Sequence, residues 1–376
     1  MKLAFVSNYY NHHQHSLCMA LSRETEEFCF VETSQMDEER RRLGWGMENI
    51  PTYVTSDAGV IDRMDAVIAG SAPETLIRRA IASGKIVFRY SERPLKNGAE
   101  PLKYLPRLLR WHYRNPGSKP IYLLCASAYA AADYARFDLF RGKSYRWGYF
   151  PECRTYENMD LLQARKDRKS VLWVGRFLDW KHPDDAIAAV CRLANEGVDI
   201  RLRLIGTGPM EAELRRMAEG EERIEITGAV SPDEVRTYME SAGVFLLTSD
   251  RREGWGAVLN EAMNSGCAVV ASTAAGAAPY LLRDGENGFM YPSGDNETLY
   301  RRLRTLIDDP ALQQKLGSVA YRTVTEQWNA DEAARRLLAL TEHILAGESS
   351  PLLFEDGPCS PAPLLRESFY GKGAII

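Results

Sequence analysis

Short, unbroken apolar runs recur along the chain, separated by turn residues and by stretches whose apolar positions repeat every three to four residues. Such runs fit strands buried on both faces, and the intervening period fits helices laid over them. In the first half the pattern predicts strands at 3–6, 65–70, 85–90, 121–125 and 144–147, with helices around 17–21, over 73–83 and over 126–137. In the second half it predicts strands at 170–174, 203–205, 224–227, 244–247 and 267–271, and helices over 231–241, 257–265, 296–308, 310–327 and 331–345. Ser231 is a helix-capping residue, and Pro232 after it suits a first helical position. Strands alternating with helices imply parallel sheets, so the fold class is α/β.

With 376 residues, 45% of them hydrophobic, the chain can fill two cores. The stretch 151–168, charged and without apolar period, reads as a linker between a domain at 1–155 and one at 156–328. A helix at 329–346 follows, then a tail at 347–376 whose Pro and Gly are too frequent for a domain. Leu352, Leu353, Phe354 and Phe369 give that tail apolar side chains that could dock on the body or on a partner. A net charge of −4 and a pI near 6.0 speak against a nucleic-acid partner. Seven scattered cysteines without a CxxC pair read as reduced core residues of a cytosolic protein rather than metal ligands. The N-terminal apolar run is too short for a signal peptide, and no run approaches the ~18 apolar residues of a spanning helix. The expected location is therefore cytoplasmic.

Candidate chemistry concentrates in 253–291. Glu253 and Glu261 bracket Gly254, Trp255, Gly256, Ala257 and Val258, which lead into a helix. Glycines there let backbone N–H groups approach a ligand closely, and a helix start adds partial positive charge, a combination that favours a diphosphate. Carboxylates are poor partners for phosphate and good acceptors for the hydroxyls of a ribose or hexose. A second small-residue turn, 273–278, runs into Pro279. Two such turns at the carboxyl ends of neighbouring elements are where open parallel sheets bind ligands. The plainer alternative is a pair of glutamates on a solvated helix face. Upstream, Gly175 opens a loop with Arg176 and Lys181 five residues apart, able to clamp a diphosphate as a fork and a point charge, or else simply basic surface residues. Gly206 and Gly208 suggest half of a dinucleotide fingerprint, but Glu211 stands where the third glycine belongs, which argues against a dehydrogenase.

In the first half, the loop 7–15 holds His12, His13 and His15. They read as a polar wall rather than a metal site, with His12 and His13 the candidates for substrate contact. Glu92 and Arg93 leave a strand end, as a surface turn or an acceptor contact. The stretch 95–119 joins six basic residues to Tyr104, Trp111 and Tyr113, a composition that suits either an anionic membrane surface or a solvated helix.

The ordered motifs Gly175-Arg176-Phe177 with Lys181, Leu204 to Pro209, Ile226 to Val230, Glu253-Gly254-Trp255-Gly256, Glu261-Ala262, Gly266 to Ala271 and Asp284 to Phe289 resemble the donor-site signature of retaining glycosyltransferases of family 4. The resemblance covers about 168–345; the loop 7–15 lacks the glycines found there in many relatives. It implies a GT-B fold: two Rossmann-like α/β/α lobes facing across a cleft, with a C-terminal helix crossing back to the N-lobe. It implies a donor lobe in which Arg176 and Lys181 stabilise a departing nucleoside diphosphate, Glu261 holds the ribose and Glu253 the donor sugar. Gly175, Gly206, Gly208 and residues 254–258 complete that donor site. His12, His13, Glu92 and Arg93 are the acceptor-side candidates. The implied substrates are a UDP- or GDP-sugar and a saccharide, lipid-linked or small-molecule acceptor, with no cofactor and no metal. An inactive nucleotide-sugar-binding scaffold and an epimerase on the same fold are the alternatives.

Overall fold

Paired strands run parallel in both of the units into which the chain divides, Met1–Glu152 with Gln327–Leu365, and Cys153–Glu326. The computed structural model describes residues 1–38, 46–47, 49–98, 105–347 and 353–366, without the side chains of 105–108. In the first unit β1 (Lys2–Ser7), β2 (Glu27–Glu32), β3 (Val54–Thr55), β4 (Ala66–Ala69), β5 (Ile86–Ser91), β6 (Ile121–Cys125) and β7 (Ser144–Arg146) form one sheet in the order β3-β2-β1-β4-β5-β6-β7. In the second, β8 (Asp167–Val174), β9 (Arg201–Ile205), β10 (Ile224–Gly228), β11 (Ala242–Leu247), β12 (Ala268–Ser272) and β13 (Phe289–Tyr291) take the order β10-β9-β8-β11-β12-β13. Each chain path starts in mid-sheet, winds outward to one edge and returns to the other side of its first strand. Open parallel sheets bind ligands where that reversal occurs, which here is between β1 and β4 and between β8 and β11.

The apolar runs are buried as their pattern requires. All four residues of β4 and all six of β11 are buried. The second core gathers Trp173, Phe177, Leu204, Leu246, Val270 and Leu303, among others, from strands and covering helices. Local caps set several helix starts. Ser231 and Glu234 form a reciprocal capping box at the helix Pro232–Ser241. Asn11 accepts from the His13 amide at 3.0 Å and starts the helix His12–Glu24, so the three histidines belong to a first helical turn rather than to a loop.

Two further expectations need correction. The stretch 151–168 is not an open linker: it contains the helix Met159–Arg165 and the start of β8. Its polar groups are structural. Lys166, 5% exposed, donates to the carbonyls of Met239, Glu240 and Ala242 at 2.8, 3.2 and 2.9 Å, placing an ammonium at the end of the helix Pro232–Ser241. Gln163 donates to the Gly266 carbonyl at 2.8 Å. The helix expected over 126–137 is only Ala130–Ala135.

The tail also docks. Arg146 N–H donates to the Ser360 carbonyl at 2.7 Å, and Cys359 and Ala362 donate to Arg146 and Ser144 at 2.9 Å each. Arg146 further pairs with Asp356, and Arg336 donates to the carbonyls of Asp356 and Pro358. Residues 356–362 thus cover the edge of the sheet at β7, where an unpaired strand would otherwise offer its amides. Leu352 and Phe369 lie outside the described residues, as do Tyr104 and the side chain of Arg107. The helix Ala330–Leu345 packs on His12–Glu24 in the first unit, with Arg23 paired to Asp331. Among the described residues no helix is long and apolar enough to cross a membrane.

Candidate active site

The loops after β8 and β11, on either side of the second sheet's reversal point, are tied together through buried polar groups. Trp173 donates its indole N–H to the Thr248 hydroxyl at 2.8 Å, and that hydroxyl donates to the Lys181 carbonyl at 2.6 Å. The Asp250 amide donates to the Trp180 carbonyl at 2.8 Å. Arg252 reaches Asp250 at 3.1 Å and Asp179 at 3.2 Å, adding a charged strap at the rim. These ties set Lys181 against Glu253. The ammonium donates to Glu253 Oε2, which also accepts from the Ser249 hydroxyl at 3.2 Å. The two charged side chains are only 14% and 12% exposed. Arg176, on the same loop as Lys181, is exposed and forms no ion pair with a described residue. One cation is thus held beside the carboxylate and a second stands open.

Glu261 lies one turn into the helix Val258–Asn264 and is half-buried, with no hydrogen bond from its carboxyl to a described residue. Burial pushes that carboxyl up, opposed by the charges of Arg236 and Arg154. Arg236 anchors this helix by donating to the Glu261 carbonyl at 3.0 Å and to Asn264. Ala257 and Val258 are half-buried at the helix start. Trp255 requires a correction as a donor contact: its side chain is 0% exposed and donates to Asn260 Oδ1 at 2.9 Å, so only its backbone belongs to the loop. The second small-residue turn packs on this loop, with Gly276 and Ala277 amides donating to the carbonyls of Glu253 and Trp255 at 3.2 and 2.9 Å.

Gly206 and Gly208 take φ of +147° and +157°, and a Cβ there would lie 1.8 Å from the Gly175 oxygen and 2.5 Å from the Phe177 oxygen. Both glycines are therefore demanded by the close approach of the loops after β8 and β9. They hold the 175–177 loop in place.

At the reversal point of the first sheet, the His12 and His13 rings stand 3.8 Å apart, and His13 stacks at 6.4 Å on Tyr149. Tyr149 donates to Glu92 Oε1 at 2.8 Å, and Lys96 donates to Glu92 Oε2 at 2.7 Å. Burial, helped by the charge of His12, lowers the His13 pKa to about 3, so this ring is neutral at physiological pH. A recess of about 400 Å³ beside Glu92 is lined by Lys96, Trp111 and Tyr134 as well. Arg93 also lines this recess, but it is 5% exposed, lies 4.8 Å over the Tyr129 ring, and pairs with Asp133 at 3.2 and 3.3 Å, so its guanidinium is engaged in a core ion pair. Among the described residues no group of three or more His, Cys, Asp or Glu is placed to hold a metal ion.

The sequence profile of the glycosyl transferases group 1 family matches residues 157–323, nearly the whole second unit. This unit is a group 1 glycosyltransferase domain. The chain is 30% identical over 226 residues to a putative colanic acid biosynthesis glycosyltransferase, WcaL, of Salmonella typhimurium, covering 55% of each. It is 33% identical over 190 residues to the sulfoquinovosyl transferase SQD2 of Arabidopsis thaliana, covering 50% of this chain and 36% of that one. The chain thus spans about half or less of the curated relatives it matches. The crystal structure of Anabaena HepE in complex with UDP superposes with a TM-score of 0.67 at 16% identity, covering 93% of this chain and all of that one. Both units share its architecture, and the fold is GT-B.

Within the glycosyltransferase domain, the motif residues Lys181, Glu253 and Glu261 lie where the sheet order places a ligand. Ser249 and Thr248 escaped sequence reasoning, although their position directly after β11 is a signal that could have found them. In the other unit the same holds for Tyr149 and Lys96, whose link to Glu92 is not local for the tyrosine.

Proposed function

We propose that the protein is a glycosyltransferase that moves a sugar from a nucleotide-sugar donor to a saccharide acceptor with retention of anomeric configuration. The observation that carries this reading is the convergence of Lys181 and Glu253 at the reversal point of the second sheet, with Arg176 open on the same loop. A diphosphate fits the two cations, and sugar hydroxyls fit the two carboxylates. Crystal structures of the similarly folded HepE hold UDP and UDP-glucose, which makes a UDP-sugar the first donor to try.

In the reaction the bond between the anomeric carbon and the diphosphate oxygen breaks, and a bond to the acceptor oxygen forms on the same face. The acceptor proton passes to the leaving diphosphate. Lys181 and Arg176 stabilise the negative charge that develops there, the term on which such a mechanism chiefly depends. Glu261 orients the ribose and Glu253 the sugar, and the first unit, through Glu92, Lys96 and His13, receives the acceptor. Polymer-type saccharides are suggested by the named roles of WcaL and of the lipopolysaccharide core enzyme LpsE of Rhizobium meliloti, to which the chain is 28% identical. No metal is needed, because the two cations already oppose the diphosphate.

A thermal-shift panel of nucleotide sugars, followed by incubation of the best binder without acceptor, tests the reading. A transferase is stabilised by mass action and slowly hydrolyses the donor. Conversion to an isomeric sugar, or no turnover of a bound donor with any saccharide, would defeat it.

A further inference from the structure

Lys181 and Glu253 are held at both backbones, so their pairing is decided by side-chain rotation alone. The Lys181 carbonyl accepts from Thr248 and its amide donates to the Leu178 carbonyl at 2.9 Å. The Glu253 amide donates to the Asp250 carbonyl at 3.0 Å, and its carbonyl accepts from Gly276. The ammonium therefore has two anionic suitors within reach: the Glu253 carboxylate it now holds, and a diphosphate. Its three N–H donors can reach both, but the pair is largely shielded from solvent, so the Glu253 charge cancels much of the field that Lys181 would offer a diphosphate.

Resting on the donor-site reading above, we propose that Glu253 discriminates between the two nucleotides the site must handle, favouring the sugar-bearing donor and driving out the sugar-free product. An intact donor offers hydroxyls to Glu253. The carboxylate then turns to the sugar and leaves Lys181 to the diphosphate. After transfer the nucleoside diphosphate has no hydroxyl to offer at that point. Glu253 then turns back to Lys181 and cancels part of the charge that the diphosphate meets. That weakens the product relative to the substrate. Ser249 strengthens the effect, because its hydroxyl keeps the same Oε2 on the Lys181 side.

The test is calorimetric titration of wild type, Glu253→Gln and Glu253→Asp with UDP, GDP and the corresponding sugar nucleotides. Glutamine keeps the shape and loses the charge; aspartate keeps the charge and cannot reach the ammonium as well. Glu253→Gln is expected to bind the nucleoside diphosphate about tenfold tighter than wild type, without a matching gain for the sugar nucleotide. In a Lys181→Met background the same substitution should leave the ratio of the two affinities nearly unchanged. A Glu253→Gln protein that binds the diphosphate no more tightly than wild type overturns the proposal and leaves the donor site standing. Failure of wild type and variants alike to bind any nucleotide overturns both. Should the glutamine variant not fold, the aspartate variant must show the same preference in the same direction, or the proposal falls.

Discussion

Arg236 donates to the backbone carbonyl of Glu261 at 3.0 Å, so the residue that anchors the helix Val258–Asn264 also sets the field around its carboxylate. Burial pushes that carboxyl up, and Arg236 only partly offsets it. The folded protein therefore keeps this proton at pH values where an ordinary carboxyl has lost it, and stability from this group declines as pH rises through the raised value. On the proposed donor-site reading, ribose hydroxyls bind the ionised form. Donor binding should expel the proton, so affinity is full above the raised value and falls as pH drops through it. Calorimetry across weakly acidic pH is expected to show that fall in wild type and a flat profile in Glu261→Gln. A fall of equal size in both proteins would place the titrating group elsewhere.

The cations should matter far more to turnover than to folding. Lys181→Ala removes a charge facing the leaving group and is expected to lower kcat by about 10²–10³-fold, the size typical of one lost transition-state donor. Arg176→Ala should also cut turnover, yet shift stability by no more than about 0.5 kcal/mol, because the side chain is exposed. Unchanged kinetics in both variants would remove the clamp from the mechanism.

What the sequence made legible followed the range of each interaction. Ser231, Pro232 and Glu234 act within three residues, and the helix they start lies where it was expected. The motif glycines and acids were equally visible because they sit next to strand ends. Lys166 was not, since its three carbonyl partners are more than seventy residues away and nothing local distinguishes it from a linker lysine. The Arg93–Asp133 pair was hidden for the same reason, its two members lying forty residues apart. For Trp255 the motif located the loop but could not say that the indole turns inward to Asn260. Asn11 was a local signal, overlooked beside three histidines that drew a chemical reading instead.

Metal removal gives an independent check. With two cations available for the diphosphate, activity should persist in excess EDTA. Complete loss that magnesium or manganese restores would show that the diphosphate is neutralised by a bound ion instead.

The helix Leu105–Arg114 bears on the acceptor. Leu109 and Tyr113 are 66% and 63% exposed beside exposed Arg110, whereas Arg114 is engaged with Glu74 at 3.6 Å and Trp111 packs against Tyr134 and Phe137. If a lipid-linked saccharide is the acceptor, this face should bind anionic vesicles, each basic residue near the surface contributing about 1 kcal/mol. Co-sedimentation should weaken with salt and with Arg110→Glu. Vesicles of anionic lipid left unbound at low salt would point to a soluble acceptor.

The tail offers a prediction about stability that its composition alone would not suggest. Residues 356–362 give β7 three backbone hydrogen bonds, bury Cys359 and Ser360, and join Arg146 and Arg336 around Asp356. Each of these hydrogen bonds contributes about 1 kcal/mol net, so the docked segment supports the first unit. A chain ending at residue 353 should therefore show an earlier first unfolding transition by calorimetry, while the nucleotide-sugar stabilisation proposed for the second unit is retained. Exposing the edge of β7 should also make the truncated protein more prone to associate through that strand. Asp356→Ala isolates the ion pair from the strand cover and should cost less than half of the truncation. If the truncated chain unfolds at the wild-type temperature, the segment merely rests on β7 and the sheet edge needs no cover.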